Sequence, residues 1–180
     1  MSEPQRVSQQ ELEPLSPRAR LALAARCVRR ARALLPGPQS VLERALALVE
    51  QASRSAAAED ELADAAAGAY TLALNHLDSG GGPAAGADDD RVVVTCMVAH
   101  AAAFAAEAAT VADPRRAAQL VGQSIDFAIH ALRIAGAPNA ADEVAAMRHD
   151  LRRLREAAAG RGWDDQTPVP ADFFAAAGPR

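Results

Sequence analysis

The sequence predicts an all-α fold: an antiparallel bundle of five to six helices around a central Ala-rich helix at about 91–112, with an extended C-terminal strap. Three observations carry that prediction. Apolar residues recur at helical spacing in successive segments, and no stretch alternates with period two. β-Branched residues cluster only at Val92 to Val94. Alanine fills 47 of the 180 positions. It has the best helix propensity, and its small side chain lets helix axes approach toward the lower end of the roughly 8–10 Å range.

Residues 1–15 are polar, with Pro4 and Pro14 and no period, and read as a flexible arm. Ser16-Pro17 opens the first helix, Ser as N-cap and Pro at the first helical position. Leu21, Leu23, Ala24, Cys27, Val28, Ala31, Leu34 and Leu35 share one face of it. Arg18, Arg26, Arg29, Arg30 and Arg32 share the other, with Arg20 the exception near the free end. Pro36-Gly37-Pro38 stops the helix. Ser40 and Glu43 form the pattern of a capping box, which starts a second helix with Val41, Leu42, Ala45, Leu46, Val49 and Ala52 inward.

A third helix begins near Asp60 and buries Leu62, Ala66, Ala69, Ala73 and Leu77. The Gly- and Asp-rich stretch 79–90 reads as a flexible loop. Asp90 then caps the central helix, which is apolar or Ala nearly all the way round. Its length raises the question of a membrane span; weakly lipophilic alanines, with His100 and Glu107 mid-span, argue against one. Asp113-Pro114 restarts the chain into a fifth helix ending at Gly136. A sixth helix from Asn139 carries a narrow seam of Val144, Met147, Leu151, Leu154 and Ala158, as a peripheral rod would, and Gly160 and Gly162 end it. The tail 161–180 holds Trp163, Phe173 and Phe174, and its Thr167-Pro168-Val169-Pro170 forces an extended course back over the bundle.

The length suits one domain, residues 16–160. All 19 basic residues are Arg, the net charge is −4 and the pI is about 5.6, which argues against a nucleic-acid binder. The first residues lack the basic, apolar and small-residue succession of a signal peptide, and two Cys suit a reducing compartment, so a cytoplasmic location is expected.

His100 and Glu107 are seven residues apart, about 20° on a helical wheel, and share a face with Val93, Met97, Phe104 and Val111. One reading is a buried acid/base or metal pair joined by His76. The other, taken here as the expectation, is an internal hydrogen-bonded or ion pair, possible with an Arg of another helix. Asp126 and His130 are four apart and resemble a dyad, but Arg115, Gln119, Gln123 and Arg133 on their face make it the solvated side. Cys27 and Cys96 fall on apolar faces and read as inert core. No Cys-x-x-Cys, phosphate loop, serine elbow or zinc spacing occurs, so no catalytic residue, cofactor or metal is expected.

The Arg face of the first helix, with no acid between Ser16 and Leu35, is the strongest surface feature. It could pair with acids of neighbouring helices or the Asp88–Asp90 loop, receive an acidic protein, or touch nucleic acid; the last is disfavoured by the charge of the remaining chain.

Arg20 to Arg30, closing in Cys27-Val28-Arg29-Arg30, together with Ala47-Leu48-Val49-Glu50 and the long Ala runs, resembles an uncharacterised Ala-rich all-helical family of GC-rich bacteria. With His100-Ala101-Ala102-Ala103 in its Ala-rich helix, the layout is also similar to immunity proteins of polymorphic toxin systems. That resemblance, over residues 18–135, implies a non-catalytic protein-binding module serving as an immunity or accessory subunit of a bacterial defence system. Its expected partner is a protein encoded nearby, with neither membrane nor nucleic acid involved. The expected contacts are Arg18, Arg26, Arg29, Arg30, Arg32, Asp88, Asp89 and Asp90. The alternatives are a metal- or ligand-binding bundle or enzyme using His76, His100 and Glu107, and a scaffold that homo-oligomerises.

Overall fold

The computed structural model describes residues 7–37, 39–79, 87–136, 140–170 and 172–173. Among them the chain forms seven helices and no strand: α1 (Gln9–Leu12), α2 (Pro17–Arg32), α3 (Ser40–Arg54), α4 (Glu59–Ser79), α5 (Ala87–Ala108), α6 (Pro114–Ile134) and α7 (Ala140–Arg161). The fold is all-α, as the periodicity predicts.

Helix α5 is central. It packs against α4 and α6 on its two sides and against α2 and α3 behind. Both lateral seams are antiparallel: Ala73 and Tyr70 of α4 meet Cys96 and Glu107 of α5, while Arg116 and Ser124 of α6 meet Glu107 and Ala101. The seams are also close. The Cys96 thiol donates to the Ala73 carbonyl at 3.3 Å, and the Ser124 hydroxyl donates to the Ala101 carbonyl at 2.7 Å. A side chain one heavy atom beyond Cβ reaches a neighbour's backbone only where small residues let two helices approach. Ala99, Ala101, Ala102, Ala103, Ala105 and Ala106, all buried on α5, are those residues.

The largest fully buried side chains are Leu, Ile, Val and Met. The aromatic residues Tyr70, Phe104, Phe127, Trp163 and Phe173 are only partly buried, packed against the outside of that core. The stretch Asp90–Ala108 has a mean hydropathy of 1.4 and the length to cross a membrane, but 61% of it is buried within the bundle.

Several expectations need correction. The arm 1–15 is not loose from Val7 onward, because Val7, Leu12 and Leu15 are buried. Ser8 and Glu11 cap α1 reciprocally, Leu12 lies over Gly122 of α6, and Glu11 pairs with Arg148 of α7 at 2.9 Å. The Ser40–Glu43 capping box does not form: Gln39 is the N-cap of α3, and the Glu43 carboxylate is drawn instead to Arg32 and Arg29 at 3.0 and 3.6 Å. Helix α5 starts at Ala87 rather than after Asp90 and stops at Ala108, where a turn leads to the Asp113 cap of α6. Of the predicted loop 79–90, residues 80–86 lie outside those described.

Gly136 and Gly162 have φ of +59° and +62°, the left-handed geometry that closes α6 and α7, so α7 runs past Gly160 to Arg161. Beyond it, the Val169 N–H donates to the Ser53 carbonyl of α3 at 3.1 Å. Trp163 meets Phe173 at 5.5 Å, under the Arg153 guanidinium. Phe174 lies outside the described residues.

Candidate functional site

The Arg face of α2 is paired, not open. Arg26 and Arg30 both reach Oδ2 of Asp150 on α7, at 2.7 and 2.8 Å, and Arg30 also meets Glu143 at 3.0 Å. Arg29 binds Glu50 at 2.7 Å, and Arg32 joins Glu43 while donating to the Leu35 and Gly37 carbonyls. Arg18 donates to the Arg54 carbonyl and to Gln166. The acids come from α3 and α7. Asp88 and Asp89 lie in the first turn of α5 with side chains outside the described set, and Asp90 is exposed there. The expected positive docking band is therefore absent as an unpaired surface. Asp150 was missed by periodicity, although a single acid inside the Val144–Leu154 seam, in a chain with a helix whose charged residues are all Arg, was the available signal.

The outer side of α5 is different. With α4 and α6 beside it and α2 and α3 behind, its stripe of Val93, Met97, His100, Phe104 and Glu107 is left half-buried. Tyr70 of α4 and Phe127 of α6 lean over this stripe. His100 stacks on Phe127 at 5.2 Å, Tyr70 stands edge-on to His100 and Phe104 at 6.0 and 5.7 Å, and Phe104 meets Phe127 at 5.5 Å.

His100 and Glu107 are each held by other partners, not by one another. His100 Nδ1 lies 2.9 Å from the Cys96 carbonyl; since a carbonyl can only accept, Nδ1 carries a proton. The Tyr70 hydroxyl donates to Glu107 at 2.7 Å, and Arg116 approaches the other carboxylate oxygen at 3.6 Å. Burial, then the Glu107 bond, pushes the Tyr70 phenol well above its ordinary pKa. The predicted trio is thus dispersed. His100 and Glu107 share a half-exposed face instead of a buried one, and no described contact joins His76 to either. Among the described residues no three of His, Cys, Asp and Glu gather as a metal site.

Asp126 and His130 are half-buried rather than simply solvated. With Met97 and Phe127 they line a hollow of about 200 Å³ at the α5–α6 edge of the aromatic cluster. Leu74, one turn along α4 from Tyr70, is 57% exposed. Cys27 is fully buried, and burial pushes its thiol up to about 12, so it is an inert core residue.

The chain was compared with protein-family models, curated proteins and solved structures, and none of them matches it.

Proposed function

We propose that this chain is a non-catalytic protein-binding module whose docking surface is the outer face of α4, α5 and α6. One observation carries the reading: a protein with only six aromatic residues keeps Tyr70, Phe104 and Phe127 together on one half-exposed face and closes its core with aliphatics. Aromatic residues in a patch rimmed by polar groups, here Glu107, Arg116, Asp126 and His130, are the composition of an interface centre. The spacing of 4, 3, 4 and 3 from Val93 to Glu107 is that of a helix–helix seam, so the partner's contribution is an amphipathic helix. The internal bonding of His100 and Glu107 supports a structural rather than a chemical role for both.

The finer reading, an immunity or accessory subunit of a bacterial defence system acting in the cytoplasm on a protein encoded nearby, rests on the resemblance of the first helices and the Ala-rich segment. A photo-crosslinking amino acid placed at Met97 in the native host tests the surface, with position 44 of α3 as control. The expected product is one crosslinked protein from Met97 and none from the control. Equal labelling from both positions, or none from either, overturns the assignment. A crosslinked second copy of the chain instead identifies a self-assembling scaffold.

A further inference from the structure

We propose a binding site for a short-chain aliphatic monocarboxylate in the crevice between the first turns of α2 and α6 and the turn that links α5 to α6. The crevice holds about 90 Å³, room for several waters. Leu21, Val111, Pro114, Ala117 and Val121 supply apolar wall, and Arg20 is the charged residue among those lining it.

Arg20 is the unusual member. It is 4% exposed, although it lies near the start of its helix. Its Nη1 donates to the Pro114 carbonyl at 2.6 Å, while its buried Nε has no acceptor among the described residues. Asp165 and Glu13 favour its charge through space, but neither forms an ion pair with it among the described residues, and burial is the larger influence, in the opposite direction. A guanidinium does not give up its proton at ordinary pH, so it needs an anion beside it.

The backbone adds to that need. Helices α2 and α6 both begin at the crevice with Pro in the first turn; the Asp113 carboxylate already caps α6 through the Arg115 N–H, so it is the positive end of α2, capped by the neutral Ser16 hydroxyl, that adds to it. One charge surrounded by aliphatic wall suits a molecule with one carboxylate and a short hydrocarbon tail. A phosphate or sulfate dianion would leave oxygens unpaired against Val111, Val121 and Leu21.

Titration of the full chain with sodium butyrate at constant ionic strength, followed by NMR and by thermal unfolding, tests the site against sodium chloride. The expected result is saturable binding at about 1 mM, well short of the ceiling for a ligand of this size, with a rise in Tm that chloride does not reproduce. Arg20→Met removes the charge and Val111→Phe fills the crevice from the half-exposed turn; each is expected to weaken binding at least tenfold. The second variant serves if the first does not fold. Chloride acting as well as butyrate, no saturation by butyrate, or binding that survives Val111→Phe overturns the proposal.

Discussion

The Arg26 guanidinium lies 2.7 Å from a carboxylate oxygen of Asp150 that Arg30 also approaches at 2.8 Å, so one acid ties α7 to two turns of α2. Asp150 is 1% exposed in its side chain, against 26% and 17% for its partners. Truncating it takes from both guanidinium groups the buried acid they share, although Arg30 keeps Glu143.

Asp150→Ala is accordingly expected to destabilise the chain by about 3 kcal/mol, the lower end of the range for breaking a buried pair because the arginines are partly solvated. Arg29→Ala, at an exposed pair, is expected to change stability by less than about 1 kcal/mol. Urea unfolding of the two variants checks both figures, and equal losses would contradict the distinction.

Alkaline pH gives a second expectation. Tyr70 has its pKa raised on folding, so its stabilising contribution is complete below the ordinary value of 10.0 and is lost as pH rises through the folded value. Stability should therefore fall above about pH 10. Since Tyr70 is the single tyrosine of the chain, Tyr70→Phe should flatten that decline while weakening stability at neutral pH by about 1–2 kcal/mol through loss of the bond to Glu107. Unfolding curves at pH 8 and pH 11 give the comparison.

The cysteines give a third. With its pKa pushed up to about 12, Cys27 has roughly one thiolate in ten thousand at pH 8, and burial raises Cys96 as well. Neither should react with iodoacetamide in the folded chain, and both should react in urea. Mass spectrometry reads the label, and fast labelling of Cys27 under native conditions would contradict its place in the core.

A fourth concerns the alanines. Ala103 is fully buried on α5, between helices close enough for Ser124 to reach the Ala101 carbonyl. Ala103→Leu is expected to cost about 1–3 kcal/mol by overpacking, whereas the same change at exposed Ala67 should be nearly neutral. Thermal unfolding of the pair separates a packing effect from helix propensity.

These cases show what the sequence makes legible. Helical periodicity locates six of the helices and the central role of α5, because a helix apolar nearly all round needs neighbours over most of its surface. It fails for α1, where one helical turn has too few residues for a period and the Ser8–Glu11 cap was the readable sign. It fails again at Ser40, since a local cap competes with ion pairs to α2 that only the tertiary fold creates. Position on a helical wheel correctly puts His100 and Glu107 on one face of α5. It cannot say that this is the face no helix covers, nor that Tyr70 would stand over it. The arginines were visible as a stripe, but the acids that absorb them sit 11 to 124 residues away in the chain, at Glu43 and Asp150.

The most direct test compares two surfaces against the same partner, once crosslinking at Met97 has captured it. The affinity of Met97→Asp is measured beside that of Arg29→Ala by calorimetry. A change at the centre of an interface costs about 2 kcal/mol or more, so the first variant should bind at least about 30-fold more weakly, with the second unchanged. Binding that survives Met97→Asp and falls with Arg29→Ala would return the docking surface to α2 and contradict the account.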